Sequence, residues 1–244
     1  MDVMSQFKLT TVLGPIGESV NFSQANLLMA VGGLLTLALL YFGMRPRAVV
    51  PGRLQAMAEL SYKFIHDMCV DQVGEEGKRY FPFVFTLFFF VLMGNLIGLV
   101  PWSFTYTSHI AVTLSLAALV VVTTTVIALK RHGLHFFSYF YPEGTPIYLA
   151  PLIVPIEVIS YLSRLVSLSV RLFANMVAGH VVLKVFASFV VALGSLGVIG
   201  QVAALGPLAL SIVMVAFELL VAFLQAYVFA ILTTIYLHDA VHLH

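Results

Sequence analysis

Residues 151–182 read PLIVPIEVISYLSRLVSLSVRLFANMVAGHVV, an almost wholly apolar run in which Arg171 stands about twenty residues from one end and eleven from the other. A helix needs about 20 apolar residues to cross the hydrocarbon of a bilayer, so this run predicts a membrane helix longer than a perpendicular crossing requires. A cation at that depth costs about 3 kcal/mol or more, and such charges face a protein interior or a wet cavity where they carry function. Glu157, Arg164 and Arg171 are spaced seven apart. Seven residues are nearly two helical turns, so all three share one polar face.

The rest of the chain fits the same solvent. Of its 244 residues 61% are hydrophobic and 9% charged, which excludes an ordinary soluble domain. Twelve basic residues against eleven acidic ones leave a net charge of +1, with no sign of a nucleic-acid partner. Cys69 is the only cysteine, so it forms no internal disulfide and supplies no metal-ligand cluster; neither metal nor cofactor is expected. The first apolar run begins near Ala25, after Asp2, Lys8 and Glu18, and reads as a retained anchor, not a cleaved signal peptide.

The expected fold is all-α and polytopic, a single membrane domain over 1–244 with a segment 1–24 ahead of it. Conventional spans are expected at 25–43, 81–100 and 109–129, and two longer apolar tracts at 147–183 and 207–237 predict strongly tilted helices. Between the first two spans, residues 51–79 interleave Arg53, Glu59, Lys63, Asp67 and Asp71 with Leu54, Met57, Leu60, Phe64 and Met68. That spacing predicts an amphipathic helix at the membrane surface or on a partner. Arg45, Arg47, Arg53, Lys63, Lys78 and Arg79 follow span one, and Lys130 and Arg131 follow span three. The positive-inside bias then makes that side cytoplasmic, with the N-terminus outside and His238–His244 inside.

The last two long tracts should form an antiparallel hairpin, because Gly194, Gly197, Gly200, Gly206 and Pro207 concentrate helix breakers between them. Facing residues in a hairpin have position numbers of roughly constant sum. Arg171 and Gln225 sum to 396 and His180 and Glu218 to 398, so the arginine is expected to face the glutamine. The histidine is expected near the glutamate, about 10 to 14 Å further toward the outer surface. Asn175 and Tyr227 add polar groups to the same two helices.

Such a layout favours proton movement. Histidine titrates nearest neutral pH and can exchange a proton with a neighbouring carboxylate, whereas arginine keeps its proton and acts as a fixed charge. A buried polar pair satisfying itself is the structural alternative for His180 and Glu218. Snorkelling, or pairing with Glu157, is the alternative for Arg164.

These residues carry a family resemblance. The run from Ser167 through Arg171, Asn175 and Gly179 to His180 resembles the signature of the a subunits of rotary F-type ATP synthases, and Phe217-Glu218 with Leu224-Gln225-Ala-Tyr227 resembles their last helix. Asn95 to Pro101 and Thr107-Ser108-His109 are similar as well, so the likeness spans the chain, with the histidine placed as in mitochondrial and alphaproteobacterial members. The resemblance implies a stator wall beside a ring of c subunits, each bearing a carboxylate, with two offset half-channels. It implies that Arg171 attracts the deprotonated ring carboxylate, that Gln225 and Asn175 lie near it, and that His180 and Glu218 line the outer half-channel and Glu157 the cytoplasmic one. Asn95, His109, Arg164 and Tyr227 would support these. Peripheral-stalk b subunits, other synthase subunits and lipid are the implied partners, in a bacterial inner membrane. No phosphate-binding loop is present, so ATP chemistry, and any catalytic residue, belongs on other subunits. A self-contained secondary transporter or ion channel is the competing function, though no internal repeat supports it, and a structural scaffold is a third.

Overall fold

The computed structural model describes residues 24–44, 51–100, 105–133, 136, 140, 141 and 147–242. The expectations for the segment before Gln24, for Arg45, Arg47 and Pro101, and for His244 lie outside the described residues. The helices are α1 (Gln24–Met44), α2 (Arg53–Val73), α3 (Gly77–Gly98), α4 (Ile110–His132), α5 (Ala150–Gly194) and α6 (Val198–Val241), with short 3-10 turns at Tyr106–Ser108 and Ile147–Leu149. Among the described residues there is no strand. All but α2 are long and apolar enough to cross a membrane. At 45 and 44 residues, α5 and α6 are each about 66 Å long, twice the thickness of a hydrocarbon core of about 30 Å.

The expected limits of these two helices are too short. α5 continues past 183 to Gly194, and α6 starts at Val198, so Gly206 and Pro207 lie inside a helix and only Ser195–Gly197 turns the chain. Gly197 has φ 82, the left-handed region that favours glycine. A Cβ on Gly200 would overlap the Leu193 carbonyl, so glycine there lets the start of α6 close onto the end of α5. Pro207 is tolerated because opening the helix would leave several backbone groups unpaired in an apolar medium, at several kcal/mol each, against one bond lost to proline. Similarly α2 ends at Val73, where Gly74, φ 83, donates its N–H to the Val70 carbonyl at 2.8 Å. Lys78 and Arg79, expected in the amphipathic segment, belong to α3.

Contacts divide the chain into two compact units. The first takes in the described parts of Met1–Tyr41, Phe89–His109 and Leu172–Tyr227. It is organised around the turn Thr105–Ser108, all four residues of which are buried. Tyr106 donates to the Phe90 carbonyl at 2.8 Å, and its ring occupies the space that a Cβ on Gly94 would need. Thr107 donates to Asn95 Oδ1 at 3.0 Å, and Asn95 in turn donates to the Ala222 carbonyl of α6 at 3.2 Å.

The second unit takes in Phe42–Phe88, Ile110–Arg171 and Val228–His244. Here α2 buries Ala58, Ile65, Met68, Cys69 and Val73 while Leu54, Met57 and Leu60 stay exposed, the split expected of an amphipathic helix. Gly43 of α1 lets Ala58 approach closely. Burial pushes the Cys69 thiol up to about 12, which makes it an inert packing group. Val73, Leu237 and Val241 form one apolar cluster, and Ala128, Phe136 and Ala240 another. Arg131 at the end of α4 holds the Glu76 carboxylate with both guanidinium nitrogens, one at 2.7 Å. That guanidinium keeps the exposed Glu76 carboxyl below its ordinary range.

Candidate functional site

In the first unit α5 and α6 bring together the polar residues expected to be functional. Asn175 donates to Gln225 Oε1 at 2.6 Å. This pair sums to 400, close to the expected register, but the residue seen on Gln225 is Asn175, one turn nearer the hairpin tip than Arg171. Nearer the tip again, Glu218 packs against Gly179, where a Cβ would overlap its Oε1. Their sum is 397, so the register holds over this stretch. His180 follows Gly179 directly, and its Nε2 shares a hydrogen bond of 2.8 Å with Thr105 Oγ1.

Glu218 is 4% exposed, and among the described residues neither of its carboxylate oxygens has a hydrogen-bond partner. The same holds for Gln225 Nε2. A buried carboxylate without donors is costly when charged, by several kcal/mol. Such groups are retained where water or a proton reaches them. Gly179→Ala should therefore disturb this acid directly: the added methyl forces the carboxylate aside, at a cost of about 1 to 3 kcal/mol. The expected readout is a roughly tenfold slower proton flux through reconstituted membranes with assembly preserved, and unchanged flux would show that the packing against Glu218 has no functional weight.

The remaining expected residues fall elsewhere. Asn95 is fully buried and ties α3 to α6 as described. His109 lies half-buried just ahead of α4, its backbone N–H donating to Tyr106 O at 3.2 Å. Tyr227 is half-buried in α6, and Glu157 half-buried in the first part of α5.

In the second unit Arg164 donates to Asp239 Oδ2 at 3.0 Å and lies over the rings of Tyr161 and Tyr236, 5.6 and 5.0 Å from their centroids. Pairing with Glu157 was one reading of Arg164. A spacing of seven puts the two on one face but about 10 Å apart along the axis, and the last turns of α6 supply a nearer acid. Tyr161, Arg164, Tyr236 and Asp239 line a partly open cleft of about 360 Å³. Two participants escaped sequence reasoning. Asp239 lies past the expected end of the last helix, and Thr105 lies in a turn that no helical periodicity could place; the position sum, extended to α6's last turn, was the one available signal for Asp239.

Arg171 itself is exposed, and among the described residues it forms no ion pair. Ser167 and Ala174, about one turn to either side of it on α5, are exposed as well.

A model of the ATP synthase A chain family matches residues 26–238. The ATP synthase subunit a of Granulibacter bethesdensis is 64% identical over 245 residues, covering 100% of this chain and 98% of the relative. That of Gluconacetobacter diazotrophicus is 59% identical, covering 99% of this chain and 97% of the relative. The subunit a of Rhizobium leguminosarum is 50% identical over 99% of this chain and 97% of the relative.

Proposed function

Since the chain belongs to the ATP synthase A chain family, we propose a division of labour among its residues in proton translocation. The chain is the proton-channel stator subunit of an F-type ATP synthase, a membrane-sector subunit that works with the other synthase subunits; a self-contained transporter is not favoured. Two half-channels run against a ring of c subunits, with peripheral-stalk b subunits holding the stator in place. His180 and Glu218 pass protons in the outer half-channel, with Asn175 and Gln225 lining the way to the ring. Glu157 belongs to the cytoplasmic half-channel. Asn95, His109, Arg164 and Tyr227 support these paths by position. The N-terminus lies outside and the C-terminus in the cytoplasm. No group on this chain performs the chemistry on ATP.

One observation carries this reading: an arginine exposed on a 45-residue membrane helix, with no ion pair to a carboxylate among the described residues. A bare guanidinium in hydrocarbon is costly, so the face must meet an anion from a neighbouring subunit or water held there. A ring carboxylate supplies that anion when deprotonated and leaves when protonated. Because arginine does not release its proton, protons cannot pass straight along the stator.

Exposed Ala174, one turn from Arg171, gives a direct test. Ala174→Cys should form a disulfide with a cysteine placed beside the ring carboxylate when the intact complex is oxidised in membranes. The native Cys69 is buried and will not compete. Efficient assembly without that cross-link, at any ring position one turn from the carboxylate, would sink the proposed docking face.

A further inference from the structure

The turn between α3 and α4 is bonded at each of its four residues. Thr105 shares a hydrogen bond with His180 Nε2 at 2.8 Å; Tyr106 donates to Phe90 O at 2.8 Å; Thr107 donates to Asn95 Oδ1 at 3.0 Å. Ser108 donates to the Thr105 carbonyl from its hydroxyl at 2.6 Å and from its backbone N–H at 3.1 Å. The four residues are 5%, 0%, 0% and 4% exposed. A segment held in this way has little freedom to let Thr105 move.

Thr105 also occupies a fitted space. A Cβ on Gly98, at the end of α3, would overlap its Oγ1, Cγ2 and Cβ together. Only glycine leaves room for the threonine to lie against α3 and still reach α5. The hydroxyl can donate to or accept from an imidazole nitrogen, so it can follow His180 through a protonation change while holding the ring plane. Other charged groups near the ring are Glu218 from α6, packed against the adjacent Gly179, and Lys184 one turn along α5.

We propose that Thr105, seated in the notch left by Gly98 and locked by the Thr105–Ser108 turn, is the positioning residue for His180 and fixes the ring orientation in which that histidine exchanges protons. Thr105 acts through the imidazole and does not itself relay. The inference rests on the assignment of His180 to the outer half-channel, and its test separates the two.

Intact complex carrying Thr105→Val, Thr105→Ser or His180→Ala is reconstituted into vesicles, and proton-driven ATP synthesis is followed against the pH of the outer compartment. Thr105→Val keeps the shape and removes the hydroxyl. It should lower the rate about fivefold, the equivalent of one net hydrogen bond, and move the midpoint of the pH profile by about half a unit or more. Thr105→Ser, which keeps the hydroxyl, should restore both. A purely structural threonine would change the amount of complex without moving the midpoint, so a Val profile superimposable on the Ser profile overturns the inference. Should Thr105→Val fail to assemble, Thr105→Ala, which cannot overpack, is read by the same criterion. If His180→Ala leaves synthesis unchanged, the half-channel assignment itself fails; if His180→Ala is slow and Thr105→Val is normal, only the positioning role fails.

Discussion

Arg171→Ala should lower proton-driven ATP synthesis by about 100-fold or more while the complex still assembles. The arginine is on an outward face of α5, so its loss leaves no cavity in the chain and removes only a counter-charge. Breaking a desolvated ion pair by deleting one partner costs about 3 to 5 kcal/mol, because the other charge stays stranded. At about 1.4 kcal/mol per tenfold, that is a factor of 100 or more in the rate of any step that needs the ring carboxylate ionised. Synthesis by inverted vesicles under an imposed proton gradient reads the effect, with blue-native gels reporting assembly. Arg171→Lys restores the charge but not the planar fork that meets a carboxylate with two bonds, and should recover only a small part. Synthesis above a tenth of the wild-type rate in the alanine variant would remove Arg171 from the mechanism.

The second large effect belongs to Glu218. Glu218→Gln is nearly isosteric, so it keeps the packing against Gly179 and deletes only the exchangeable proton. A positioned acid or base contributes about 100-fold or more to a proton-transfer step, and loss of synthesis on that scale is expected. The new amide has to bury two N–H donors where the acid had no partner among the described residues, which adds a stability cost of about 1 to 3 kcal/mol. Thermal inactivation of the detergent-solubilised complex separates the two contributions. Glu218→Asp shortens the acid by one methylene yet titrates, so it should retain far more synthesis than glutamine. Equal rates for Asp and Gln would mean that the carboxylate serves packing and not proton exchange.

Much of the architecture was readable along the chain because its signals are local. Apolar runs long enough to span a bilayer gave the five membrane helices, and the charged, period-3.6 stretch after the first gave α2. The glycines near position 197 located the turn, and the position sums set Arg171 opposite Gln225 and His180 opposite Glu218; the structure keeps that register to within one turn, with Asn175 on Gln225 and Gly179 against Glu218. The expectation that Gly206 and Pro207 belong to the turn between the two helices fails because the rule comes from proteins in water, where an opened turn is rehydrated. In hydrocarbon the opened turn has no such refuge, so the helix continues through proline.

The sequence by itself determined that the chain lives in a membrane, how many helices can cross it, and which faces of α5 and α6 carry polar groups. Transfer free energies are roughly additive over neighbouring residues, and helical geometry converts spacing into faces. Only the tertiary structure decided which polar groups meet. Thr105 and His180 are 75 residues apart, as are Arg164 and Asp239, yet they bond at 2.8 and 3.0 Å. A hydrogen bond tolerates only a few tenths of an ångström, and that precision comes from how Tyr106 seats against Gly94 and how the last turns of α6 lie beside α5, contacts that no local pattern encodes.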